Sequence, residues 1–262
     1  MILDKIIEAT KIRVAQEKQV ESPEAVKAAA LALPSDTGFP FEAALRQQDF
    51  NFICEVKKAS PSKGIIAEDF PYLDIAKEYE VAGAAAISVL TEPDFFKGDK
   101  KYLQEIASTV KIPVLRKDFI IDAYQIYEAR MLGADAVLLI ARILTPETLK
   151  RFLYTAWSLG MDALIEVHDR RDMEAALATP AEFIGINNRN LVSFTTSIEQ
   201  TMGLLPYADK SRTLISESGV FTGEDARRLH DAGCDGILVG EGLVRADDVA
   251  AQTRLMANAG EK

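Results

Sequence analysis

A (βα)₈ barrel, of class α/β, carrying an N-terminal helical extension is the fold that this 262-residue sequence predicts, and three observations predict it. Eight short apolar runs recur along the chain. They begin about 20 to 32 residues apart, the span of a strand, a helix and two short loops, which points to parallel strands with helical crossovers. The runs are apolar almost throughout, as strands covered on both faces are.

Taken in order, Leu3, Ile6, Ile7, Thr10 and Val14 fall at helical spacing and predict an amphipathic first helix that ends before Pro23. Residues 34–40 (PSDTGFP) are loop chemistry, and a second short helix is expected over 41–47. The expected organisation is one domain, in which an extension of residues 1–50 packs on a barrel of residues 51–262. The strands are read at FICEVK from Phe52, AAAISVL from Ala84, IPVLRK from Ile112, DAVLLI from Asp135, DALIEV from Asp162, EFIGIN from Glu182, RTLISE from Arg212 and GILVG from Gly236. Helix punctuation lies between them. Thr145-Pro146-Glu147 supplies an N-cap, a first-turn proline and an acidic first turn, and Asp122, Asp169 and Thr222 are further caps. AGAAAISVL, LGADAVLLI and AGCDGILVG echo one another, each joining a helix-ending glycine to a new strand. A doubly wound open sheet is the alternative, but no G-x-G-x-x-G turn follows the first strand.

Composition narrows the function. Thirty Lys plus Arg against forty Asp plus Glu leave a net charge of −10, which argues against broad binding of nucleic acid or an anionic membrane. The N-terminal stretch has charges breaking every apolar run, so neither a secretory signal nor a membrane span is expected, and the cytoplasm is the expected location. Cys54 and Cys234 read as buried free thiols, and with two histidines no zinc ligand set is expected.

In such barrels chemistry sits at the C-terminal ends of the strands. Those ends are rich here: Glu55-Val56-Lys57, Arg116-Lys117-Asp118, Glu166-Val167-His168, Asn187-Asn188-Arg189 and Glu217-Ser218-Gly219. Side chains alternate along a strand, so Glu55 shares a face with Lys57, and Asn187 with Arg189. Either a satisfied ring of ion pairs or an acid–base site would look like this. In the second case a lysine pushed toward neutrality, or a carboxyl raised by burial, would work near neutral pH. Ser218-Gly219 and Gly240-Glu241-Gly242 place small residues after strands seven and eight, where such barrels frequently bind phosphate, the second group just before an expected final helix. The segment KKASPSKG (57–64) reads as a phosphate-contacting lid or a solvated loop.

These motifs in this order resemble the indole-3-glycerol phosphate synthase family. The resemblance rests on EVKKASPSKG (55–64), SVLTEPDFFKG (88–98), PVLRKDFIID (113–122), IEVHD (165–169), IGINNRNL (184–191) and SESGV (216–220), and runs from the N-terminal helices to about residue 250. It implies conversion of 1-(2-carboxyphenylamino)-1-deoxyribulose 5-phosphate to indole-3-glycerol phosphate, a carboxy-lyase reaction on a TIM barrel, with no metal and no organic cofactor. Lys117 resembles the general acid of ring closure and Glu166 its proton-transferring partner in dehydration. Lys57 resembles a ligand-contacting lysine able to donate a proton, and Glu55 the carboxylate that positions it. Asn187 and Arg189 resemble substrate-orienting groups, Glu217 a further substrate-binding carboxylate at the mouth, and Ser60 the ligand's surroundings. Phe96, Pro61 and Leu191 are the expected apolar wall. Ser218, Gly219, Gly240 and Glu241 would hold phosphate through main-chain donors.

The match has departures. Gly240-Glu241-Gly242-Leu243 lacks the serine many members carry near the phosphate, and motif alignment prefers Asn187 over Asn188 and Phe96 over Phe95. His168 is read as a pocket-rim group, His230 as solvated on an outer helix and Trp157 as a packing residue. A phosphosugar isomerase and a barrel that binds phospho-ligands without catalysis are the competing functions. The expected partner is a small phosphorylated substrate. A monomer or weak homo-oligomer is expected, with association with other tryptophan-pathway enzymes left open.

Overall fold

A computed structural model describes residues 2–66, 69–190 and 193–240. All eight apolar runs form strands: β1 (Asn51–Val56), β2 (Ala86–Leu90), β3 (Val114–Lys117), β4 (Ala136–Ile140), β5 (Asp162–Val167), β6 (Phe183–Asn187), β7 (Thr213–Glu217) and β8 (Gly236–Val239). Each pairs in parallel with its sequence neighbour, and β8 pairs with β1 through Asn51↔Gly236 to Cys54↔Val239, so the barrel closes. The open-sheet alternative is thereby excluded.

Ten helices are described: α1 (Ile2–Val20), α2 (Pro23–Leu31), α3 (Pro40–Leu45), α4 (Tyr72–Val81), α5 (Lys100–Ala107), α6 (Ala123–Met131), α7 (Pro146–Ser158), α8 (Arg170–Leu177), α9 (Glu199–Leu204) and α10 (Gly223–Ala232). Asp122, Thr145, Asp169 and Thr222 each cap the expected helix with a side-chain oxygen. The sequence reading had no helix at α2. Its start repeats the Thr145-Pro146-Glu147 pattern as Ser22-Pro23-Glu24, with Ser22 accepting the Ala25 N–H at 3.2 Å. The segment after β1 is not a plain loop, because Ala59–Ser60 and Gly64–Ile65 pair as a short antiparallel hairpin. The helix expected after β8 lies outside the described residues.

Strand alternation separates two cores. Phe52, Cys54, Val56, Ile87, Val89 and Val114 point outward and pack in the layer shared with the helices. Ile53, Leu115, Leu138, Leu164, Phe183, Ile215 and Leu238 point inward and fill the lumen. Helix α3 adds Phe41 to the inner set, edge-on to Phe183 with centroids 5.4 Å apart, at the N-terminal end of β6. The echoed glycine-to-strand segments have a structural reason at this end. Asp135 and Asp235 accept the N–H of Val114 and Leu214 at 2.9 and 2.7 Å, tying each strand to the one before it. Asp162 turns the same device on the extension, accepting the Glu42 N–H at 2.9 Å.

Helix α1 buries Leu3, Ile6, Thr10 and Val14, four of the five residues expected on its inner face, and Ile7 is half-buried. Val14 and Val26 meet Tyr124 of α6. Trp157 packs against the outer core as expected. His230 is not fully solvated; its ring tilts against Phe50 at 5.0 Å between centroids.

Candidate active site

Inward alternation extends past the lumen core to the strand ends. Ile53 is followed on its face by Glu55 and Lys57, Leu115 by Lys117, Leu164 by Glu166 and His168, Phe183 by Gly185, Asn187 and Arg189, Ile215 by Glu217, and Leu238 by Gly240. One face of the barrel thus delivers the charged candidates to its C-terminal mouth.

Lys117 stands at the centre. Its Nζ lies 2.6 Å from Glu217 Oε2, 3.7 Å from Glu55 Oε1 and 3.8 Å from Glu166 Oε2. These four side chains come from β1, β3, β5 and β7, so they form one layer contributed by alternate strands. Gly185 on β6 and Gly240 just past the end of β8 stand between them and leave room. A Cβ at Gly185 would overlap the Glu217 carboxylate, and one at Gly240 would come within 2.5 Å of Glu55 Oε2. Lys57 forms an ion pair with the other oxygen of Glu55.

Burial and mutual charge set the protonation states. Burial alone would lower the Lys117 ammonium, but Glu217, Glu55 and Glu166 outweigh it and raise its pKa above the ordinary lysine value. The sequence expectation of a lysine driven toward neutrality is corrected here for Lys117, because three carboxylates rather than cations surround it. The carboxyl alternative holds. Burial raises Glu166, offset only in part by Lys117 and Asn187, and burial together with Glu166 pushes Glu217 up to about 7. Glu55 differs: burial would raise it, yet Lys57 and Lys117 hold it below the usual carboxylate range.

A cavity of about 110 Å³ opens above this layer. Glu55, Lys57, Ser60, Pro61, Phe96, Lys117, Glu166, Asn187, Arg189 and Ser218 all line it, alongside His168. A narrower recess of about 20 Å³ continues from it past Lys57, Arg189, Ser218, Gly219 and Gly240. Ser218 and Gly219 both have positive φ, 65° and 74°. The Ser218 N–H is engaged with the Leu238 carbonyl at 3.3 Å, so this one of the expected main-chain donors already has a partner. Leu191 and Glu241 lie outside the described residues.

The paired candidates separate by what they face. Asn187 faces the cavity and accepts the Arg189 N–H at 3.0 Å. Asn188 turns the other way, donating to Ser216 Oγ and accepting from Thr201. Phe96 lines the cavity, with its ring centroid 6.0 Å from that of Phe119. His168 is buried at the rim, its Nε2 3.4 Å from Glu166 Oε1; burial and the nearby Arg142 depress its pKa to about 4, so the ring is neutral.

The sequence reading missed part of the apolar wall. Phe119, Leu138 and Ile140 line the cavity, as do Ile2, Leu3 and Ile6 of α1. Leu138 and Ile140 were available from alternation along β4. The α1 residues were not, since nothing in their own spacing says which end of the barrel the helix meets.

A closed (βα)₈ barrel with an ammonium and raised carboxyls converging on the C-terminal mouth defines an acid–base enzyme of the TIM-barrel class. A family model described as "Indole-3-glycerol phosphate synthase" matches residues 3–256. The chain belongs to the indole-3-glycerol phosphate synthase family, whose members are carboxy-lyases. It is 51% identical over 254 residues to the indole-3-glycerol phosphate synthase of Endomicrobium trichonymphae, covering 97% of this chain and 98% of that one. The Ruminiclostridium cellulolyticum protein of the same description is 48% identical over 252 residues, covering 96% and 97%. Among solved structures, 3-hexulose-6-phosphate synthase from Salmonella typhimurium superposes with a TM-score of 0.66 at 13% identity, covering 80% of this chain and 98% of that one. Thiamine phosphate pyrophosphorylase from Pyrococcus furiosus gives 0.60 at 17%, covering 83% and 98%. These two likenesses concern the fold alone.

Proposed function

We propose that the chain closes the indole ring of 1-(2-carboxyphenylamino)-1-deoxyribulose 5-phosphate, releasing carbon dioxide and water to give indole-3-glycerol phosphate. The observation that carries this reading is the Lys117 ammonium held within 4 Å of Glu166, Glu55 and Glu217 at the floor of a cavity with aromatic walls. Ring closure joins the carboxylate-bearing aromatic carbon to the ribulose carbonyl carbon. Lys117 protonates the carbonyl oxygen as the bond forms, since its carboxylate neighbours keep it charged. Loss of carbon dioxide restores aromaticity. In the dehydration that follows, Lys57 donates to the departing hydroxyl and Glu166 accepts the proton from the ring. Glu55 positions Lys57, and Glu217 steadies Lys117.

Asn187 and Arg189 orient the substrate from the end of β6, with Ser60, Pro61 and Phe96 around its ring. The phosphate sits in the recess at Ser218, Gly219 and Gly240, near Lys57 and Arg189. Local cations suit such a ligand in a chain of net charge −10. No described helix is long and apolar enough to cross a membrane. Two buried free cysteines suit a reducing compartment, the cytoplasm, and the proposed state is a monomer or weak homo-oligomer.

Incubating the purified protein with the carboxyphenylamino ribulose phosphate is expected to generate indole fluorescence. Lys117→Met is expected to lower turnover by at least about 10³-fold while ligand affinity stays within about tenfold. Turnover near that of the parent protein would remove Lys117 from the acid role.

A further inference from the structure

We propose that Arg13, on α1, is a positioning residue that clasps together the two aromatic walls of the mouth cavity. The proposal rests on the reading above, in which those walls receive the aromatic ring of the substrate. Arg13 lies between two buried carboxylates that belong to different loops: its Nη2 donates to Asp118 Oδ1 at 2.8 Å, and its Nη1 stands 3.8 Å from Glu92 Oε1.

Each carboxylate in turn holds the backbone that presents a ring. Asp118 Oδ1 accepts the Phe119 N–H at 2.8 Å. Glu92 Oε2 accepts the N–H groups of Phe95 and Phe96 at 2.8 and 3.0 Å, while its Oε1 accepts that of Asp94 at 3.1 Å. The Phe96 and Phe119 rings that result stand 6.0 Å apart, and Ile2, Leu3 and Ile6 of the same helix line the cavity beside them.

Removing the guanidinium leaves two buried anions flanking one gap. Asp118 keeps Arg116 at 3.1 Å and Thr91 at 2.7 Å. Glu92 has Arg13 as its ion-pair partner among the described residues, so the Phe95-Phe96 turn is the side that gives way. Walls that hold a ring equally in the ground and transition states contribute uniform binding, so their loosening raises KM and spares kcat.

The test compares Arg13→Met and Arg13→Lys with Lys18→Met, which breaks an α1 ion pair to Asp122 (2.6 Å) that touches neither wall. Steady-state kinetics are read alongside hydrogen exchange at the Phe95, Phe96 and Phe119 amides. Arg13→Met is expected to raise KM about 3- to 10-fold with kcat within about twofold, and to speed exchange at those amides. Arg13→Lys should fall between it and the parent, and decides the matter alone if the methionine variant does not fold. Lys18→Met should change neither readout. Unchanged KM or unchanged exchange in the Arg13 variants overturns the clasp, as do equal changes in Lys18→Met, which would mean that the helix as a whole had loosened. If the parent protein shows no turnover, the functional reading falls, and the exchange comparison still decides whether Arg13 holds the walls.

Discussion

Glu217 titrates near neutrality because it is fully buried with Glu166 beside it, and Lys117, at 2.6 Å, offsets that only in part. Two carboxyls so placed lose their protons as a coupled pair. Ionising one raises the other, so an active form that needs Glu166 as a carboxylate is lost as pH falls through the range in which the pair takes up protons. Glu217→Gln deletes one of the two negative charges and frees Lys117 for Glu166, while its amide can still donate the hydrogen bond by which Glu217 lowers Glu166, so the balance favours ionised Glu166. The acidic limb of kcat/KM should therefore move about one pH unit toward acid in that variant. A pH–rate profile checks the direction; a limb that stays in place or moves toward alkali would contradict the coupling.

Strand β6 shows how an element serves a side chain it does not carry. Gly185 faces the lumen where the Glu217 carboxylate enters, and any Cβ there meets it. Because the obstructed atoms are the end of a flexible side chain, Gly185→Ala should still fold, at a cost of about 1–3 kcal/mol in denaturant unfolding. It should also lower kcat/KM at least about tenfold by displacing Glu217 from Lys117. The same strand explains what could be read in advance. Alternation with a period of two identifies Glu55, Lys57, Lys117, Glu166, Asn187, Arg189 and Glu217 as neighbours from the string alone, since each follows an inward apolar residue. Helix α2 was also open to that kind of reading, because Ser22-Pro23-Glu24 carries a cap and a first-turn proline. Arg13 and Glu92 were not. Their importance depends on which loop α1 crosses, and neither periodicity nor capping encodes a contact between residues so far apart in the chain. The engagement of the Ser218 amide was equally out of reach, because it depends on how β7 and β8 align at their ends.

Across the molecule, the extension reaches both ends of the barrel: α1 lines the mouth, and α3 buries Phe41 against Phe183 at the opposite end. Residues 1–50 and the barrel should therefore unfold together as one domain. Phe41→Ala is expected to reduce stability by about 3–5 kcal/mol without dividing the transition. Coincident far-UV circular dichroism and tryptophan fluorescence curves, the latter reporting Trp157 on α7, would establish it; separated curves would assign the extension its own unfolding step. The layer of Glu55, Lys117, Glu166 and Glu217 carries a consequence for the history of a single chain as it is made. Two of its members arrive with the first four strands and two with the last four, so a half-barrel holds half a reaction centre and has no chemistry of its own. A nascent chain stays inert until β7 has docked, and the reactive ammonium meets its full set of counter-charges only when the ring of strands is nearly complete.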